Sequence, residues 1–246
     1  MTDMYTLPDA HLSHLLNQAH FGSLVTTHES GLRTTPIPFY AEKRDDAWIA
    51  VTHLARHNPQ ATDPITGPAT AVFHVMDAYV SNTWYASNKV LPNVPTWDYV
   101  SIQMPGTVTI IDDPQRALQV AAKLTHKMGD GDELKRVASN RSMTMATHIV
   151  AVELTADRVI ARAKMSQDRH PDDIRGVIEQ LESAGKTDMA AFLREVSLPV
   201  AEERFGRVSA HRAATEIPLH GKVLGTSGNP EWEKAQGRQL RPQAGF

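Results

Sequence analysis

Residues 21–41 read F-G-S-L-V-T-T-H-E-S-G-L-R-T-T-P-I-P-F-Y-A, and this stretch decides the fold. Two runs rich in Val, Leu, Ile and Thr flank E-S-G, with Gly31 where a tight reversal needs positive φ, so the pattern predicts an antiparallel hairpin. Pro36 and Pro38 in the second run have no N–H to give to a ladder, so that strand must be open on one side. An open backbone edge facing a cavity is something a planar ligand can use.

Working outward, further strand-like runs follow. Residues 47–52 (A-W-I-A-V-T) form a third strand, left through H-L-A-R-H-N-P-Q; residues 68–76 and 78–85 form the next. Residues 99–111 make a long strand whose P-G step marks a bulge or bend. Residues 147–165 alternate and read either as a strand pair or as one long bent strand. Helices are expected over 8–19, where Leu12, Leu15, Leu16 and Ala19 fall on one face behind Asp9, and over 113–128, opened by Asp113 and Pro114. A shorter helix follows Asp132, and three more span 170–182, 186–196 and 198–212. The fold expected is therefore mainly β with α: a small antiparallel barrel over 1–168, helices packed on it over 169–213, and an extended basic tail over 214–246.

Composition narrows the function classes. The chain has 246 residues, 41% hydrophobic and 22% charged, which suits an ordinary globular protein. It has no cysteine, which excludes disulfides, thiolate metal sites and cysteine nucleophiles. No apolar run approaches membrane-spanning length and no leader pattern opens the chain, so a cytoplasmic protein without a membrane contact is expected. The net charge is −3, yet residues 204–246 carry seven Lys or Arg against three Glu, a basic tail that either contacts DNA or a partner or packs on an acidic surface of its own protein or of a second subunit. Of the 12 histidines, His11 and His14, and His53 and His57, are spaced as pairs without a third ligand, and no metal site is expected. There is no G-x-G-x-x-G, P-loop or G-x-S-x-G motif.

Three stretches carry candidate chemistry. R-T-T-P-I-P-F (33–39) and V-T-H-L-A-R-H-N-P (51–59) combine threonine hydroxyls, unpaired backbone and Arg56 after a strand, a set able to hold a phosphate beside a flat ring. Residues 84–99, W-Y-A-S-N-K-V-L-P-N-V-P-T-W-D-Y, gather two tryptophans, two tyrosines and two prolines, either as the plug of a barrel end or as the wall of a ligand site. K-M-S-Q-D-R (164–169) places two cations about a strand-to-helix junction, where Ser166 or Asp168 serves either as a cap or beside a ligand.

Taken in order, Met4-Tyr5, H-L-A-R-H-N-P, A-Y-V-S-N-T-W-Y, V-P-T-W-D-Y and K-M-S-Q-D-R, running on to Leu181, resemble the PaiB-type proteins, also called FMN-binding negative transcriptional regulators. The phosphate-holding strand and turn are similar to those of the FMN-binding split barrels, the pyridoxamine-phosphate-oxidase-like architecture. The resemblance implies FMN as cofactor, with haem as an alternative, and a homodimer with the flavin in a groove between subunits. It implies phosphate contacts from Arg56, Thr34, Thr35 and Thr52, the ring along Pro36, Ile37 and Pro38, and Trp84, Trp97 and Tyr99 as walls. Arg33, His53, Asn58, Lys164, Gln167 and Arg169 complete the implied cofactor set. The chain departs from the family at V-M-D (75–77), where G-P-H is usual, and at Asp98 and Asp168, where Asn is usual. Flavin-dependent oxidoreductase, flavin-linked regulator and haem-binding protein all stay open.

Overall fold

The computed structural model describes residues 5–7, 9–90, 92–129 and 133–215. The extended tail expected over 214–246 lies almost wholly outside the described residues, as does Met4. Contacts divide the chain into Met1–Phe205 and Gly206–Phe246.

The hairpin forms as its sequence demands. Phe21–His28 (β1) pairs antiparallel with Gly31–Pro38 (β2), from Phe21 opposite Pro38 to His28 opposite Gly31, and Gly31 takes φ 107° at the reversal. Only Phe39 separates β2 from Tyr40–Arg44 (β3), which turns at Asp45 and Asp46 into Ala47–Ala55 (β4). A single helical turn, Pro59–Thr62 (α2, numbered after the helix Asp9–Gln18, α1), leads to Ala69–Val80 (β5) and, past two 3₁₀ turns, to Thr96–Ile111 (β6). Helices Pro114–Met128 (α3) and Ser139–Ala146 (α4) precede Ile149–Ala156 (β7) and Ile160–Lys164 (β8). Asp113 caps α3, its carboxylate accepting from the N–H groups of Gln115 and Arg116.

The strand order is β2-β1-β5-β6-β7-β4-β3, with β8 also on β6. Because β2 and β3 are one run interrupted at Phe39, the two ends of that order are covalently continuous and the sheet curls back on itself. Residues 147–165 prove to be the long bent strand: β7 and β8 follow each other along β6, with Ala156 opposite Gly106 and Ile160 opposite Gln103. The P-G step marks where β6 exchanges β8 for β7. The ladder irregularity lies instead on β5, between His74 and Met76.

Inside the curl, Leu24, Phe39, Phe73, Ile102, Met104 and Leu154 are buried together, with Phe39 and Phe73 edge to face at 5.2 Å. Pro171–Ser183 (α5) adds Ile174, Val177, Ile178 and Leu181 to the same core. Thr187–Phe192 (α6), a π-helical turn and Leu198–Thr215 (α7) follow. Helix α3 covers the outside of β4 and β7 through Val120 and Leu124 against Val51 and Ala151. The outward residues of β2, β1, β5 and β6 include the exposed Phe21, Leu32, Tyr79 and Trp97.

Candidate functional site

The predicted residues fall into two groups. The first lies at the split where β2 and β4 part. Along β2, Thr34 and Pro36 are exposed, while Arg33 and Thr35 are half-buried and Ile37 is buried, the alternation a strand imposes. Asn58 caps α2: its side-chain oxygen accepts from the Gln60 N–H at 2.9 Å, and its amide donates to the Thr35 hydroxyl at 3.3 Å. Thr52, fully buried, donates from its hydroxyl to the Pro38 carbonyl at 2.6 Å across the split.

Beneath Arg33 lies a polar floor that sequence reading missed. The Gln60 amide donates to the Thr26 hydroxyl at 2.7 Å and to the Leu24 and Arg33 carbonyls, and His28 bridges Thr26 and the Pro64 carbonyl. The signal was H-N-P-Q, where an Asn cap and a first-turn proline announce a helix start. Arg33 donates through Nη2 to Asp63 at 2.5 Å and to Ser30, while its Nε is buried without a partner. The Nδ1 of His53 is likewise buried and unpartnered, and burial pushes the His53 pKa down, so the ring is neutral near pH 7.

Arg56 stands apart from this group. Its Nε donates to the Thr147 carbonyl at 2.6 Å, Nη1 to Asp112 at 2.5 Å and Nη2 to the Ile149 carbonyl at 3.4 Å. All three guanidinium nitrogens thus have partners, tying the end of β4 to Asp112 and to the start of β7. The partners are 56 to 93 residues away in sequence, beyond the reach of local patterns.

The second group gathers at the other end of β6. Trp97 donates from Nε1 to Asp77 at 2.8 Å and lies 6.2 Å from the Tyr79 ring; Lys164 donates to the Trp97 carbonyl at 2.8 Å and to Thr96. Tyr99 is half-buried opposite Lys164. Gln167 is buried, accepting from the Met165 N–H at 2.6 Å and donating to the Ala163 carbonyl at 2.5 Å. Arg169 lies 4.6 Å over the Tyr85 ring and donates to Asn93. Trp84 packs half-buried on the core, its carbonyl so close to Gly176 that a Cβ there would meet it at 2.2 Å. Asp173 takes both the N–H and hydroxyl of Ser87 at 2.7 Å. The Ser87–Asp173 bonds and the close approach of Trp84 to Gly176 fasten the two 3₁₀ turns to α5.

At its centre Asp98 is fully buried, accepting from the Ser166 hydroxyl at 2.6 Å, with its other oxygen lacking a hydrogen bond and Lys164 at 3.6 Å. Burial raises the Asp98 pKa, the Ser166 bond and the Lys164 charge opposing and the Asp168 charge assisting. The folded state therefore holds this proton to higher pH than the unfolded chain. Stability contributed by the protonated form is lost as pH rises from the ordinary carboxylate range through the folded value. We expect Asp98→Asn, which keeps an acceptor for Ser166, to gain stability over the parent progressively across that window. Urea melts of both proteins at a series of pH values check this; parallel curves would refute it.

The two groups are far apart in one chain. Thr35 is level, through Leu24 and Ala71, with Met104, seven residues along β6 from Trp97, or roughly 25 Å along the strands. A half-buried guanidinium with a free Nε, a threonine hydroxyl and an asparagine amide at the parting of two strands suit a phosphate monoester. The neighbouring free edge suits a flat ring. Curled sheet and split together define the architecture, a split barrel of mixed α and β.

The family assignment follows from sequence comparison. Residues 4–158 match the family model described as "Putative FMN-binding domain", and the chain belongs to that family. It is 29% identical over 167 residues to the Bacillus subtilis (strain 168) "Protease synthase and sporulation protein PAI 2", covering 66% of this chain and 79% of that one. It is 31% identical over 110 residues to the Saccharomyces cerevisiae "Uncharacterized protein YKL070W", covering 43% and 63%. A solved structure, the FAD and heme binding protein from Mycobacterium smegmatis, matches at 15% identity with a TM-score of 0.48, covering 65% and 73%. The cofactor of this chain is FMN, and the PaiB-type resemblance stands. No described helix is long and apolar enough to cross a membrane.

Proposed function

We propose that the protein is a homodimeric FMN flavoprotein of the oxidoreductase type, in which Arg33 rather than Arg56 anchors the phosphate. The carrying observation is the unpartnered Arg33 Nε above the Gln60 floor, beside Thr35 and Asn58. From Thr35 to Pro38 the strand advances about 10 Å, which lays the ring along Pro36 and Ile37 toward Thr52 and the neutral His53. Bound FMN supplies the redox chemistry; the chain's residues bind it, orient it and exclude water. His53 offers an uncharged hydrogen-bonding group beside the ring.

Dimerisation is supported by the outer face of β2, β1, β5 and β6, where Phe21 is 62%, Leu32 73% and Trp97 53% exposed, large apolar side chains that a second copy would cover. In such a dimer the Trp97 and Tyr99 end of one copy would reach the split of the other, joining what one chain keeps apart. We expect the purified protein to show flavin absorption bands and to release FMN on denaturation. A haem Soret band, or a colourless protein after incubation with excess FMN, would overturn the reading.

A further inference from the structure

The helical C-terminal part holds a second cavity, beyond the family-matched residues on most of its lining. It has a volume of about 380 Å³ and lies between the start of α1, β8 and the π-helical turn that joins α6 to α7. Its size falls in the range of small-molecule sites. Leu7, Ala163, Phe192, Val196 and Val200 supply apolar walls.

The π turn spans Leu193–Ser197, with the Leu198 N–H reaching back to the Leu193 carbonyl. Pro199 explains it: lacking an N–H, it gives no bond to the carbonyl a turn earlier, and the helix widens there. The Glu195 carboxylate lines the cavity, exposed, and among the described residues it has no ion pair or hydrogen bond. The Gln167 amide, also in the lining, is already bonded to Met165 and Ala163. The cavity thus sets the Glu195 carboxylate beside a mainly apolar interior, with His11, Thr6 and Ser197 as the other polar residues of its lining.

The geometry points to a binding site for a small organic ammonium, a protonated amine carried on an apolar body, with Glu195 taking the charge and Phe192, Val196 and Val200 the body. It is separate from the flavin split and does not depend on FMN.

Calorimetric titration of the full-length protein tests it, with 2-phenylethylamine as probe and the neutral 2-phenylethanol as its match in shape. The amine is expected to bind at least tenfold tighter than the alcohol, the contribution of one charge-assisted hydrogen bond. Glu195→Gln should erase that preference, and Val200→Trp, at an exposed position that tolerates bulk, should fill the mouth and abolish both. An amine that does not bind at millimolar concentration, keeps its preference in Glu195→Gln, or binds Val200→Trp unchanged overturns the assignment.

Discussion

Arg33→Ala is expected to weaken FMN by one to two orders of magnitude and to leave riboflavin nearly unchanged. A guanidinium gives roughly 1.5 to 3 kcal/mol per charged hydrogen bond to a phosphate, and riboflavin has no phosphate to lose. Arg33 already holds Asp63, but that carboxylate is partly exposed and returns to water when the arginine is removed. Arg56→Ala is the contrasting variant. Its bonds to Thr147, Asp112 and Ile149 are structural, so stability should fall while the ratio of FMN to riboflavin affinity stays as in the parent. Flavin fluorescence titrations of both folded variants decide. Equal loss of both ligands in Arg33→Ala, or selective loss of FMN in Arg56→Ala, would move the phosphate back to Arg56.

The second large effect concerns Gly106, where β6 passes from β8 to β7. A Cβ at this position would lie 2.0 Å from the Thr155 carbonyl oxygen and 2.9 Å from the Ala156 Cα. Both are backbone atoms of the paired strand, so relief requires parting the β6–β7 ladder rather than swinging a side chain. Overpacking of this kind costs on the order of 3 kcal/mol, at the upper end for a single added methyl group. Gly206→Ala in α7, where a Cβ meets nothing within 4 Å, should instead gain about 0.5 to 1 kcal/mol from helix propensity. Urea denaturation midpoints should therefore shift in opposite directions, and a Gly106→Ala midpoint within error of the parent would show that the ladder gives way freely.

The elements of the barrel were legible because their signals are local. F-G-S-L-V-T-T-H gives β1 to the residue, and Asp113-Pro114 gives the start of α3. The break at Phe39 was not legible, since an apolar residue between two strands looks like either strand; its fixed place comes from the turn of the sheet about it. The bent-strand alternative for 147–165 needed the β6 register to be chosen. The candidate site was half legible. Threonines, prolines and the H-N-P turn mark the split, and resemblance adds FMN. Which arginine keeps an unpartnered nitrogen depends on Asp112, Asp63 and the carbonyls about the start of β7, all distant in sequence. Asp98 stands in V-P-T-W-D-Y where Asn is usual, and its full burial, which follows because even-numbered positions of β6 face the core, was not legible in that motif.

The composite site is tested most directly by light scattering and flavin absorbance recorded on one chromatographic peak of the FMN-saturated protein. The prediction is a mass twice the 27.1 kDa chain carrying two FMN, one at each Arg33. A particle of single-chain mass that retains a full equivalent of FMN, or a dimer that retains none, would contradict it.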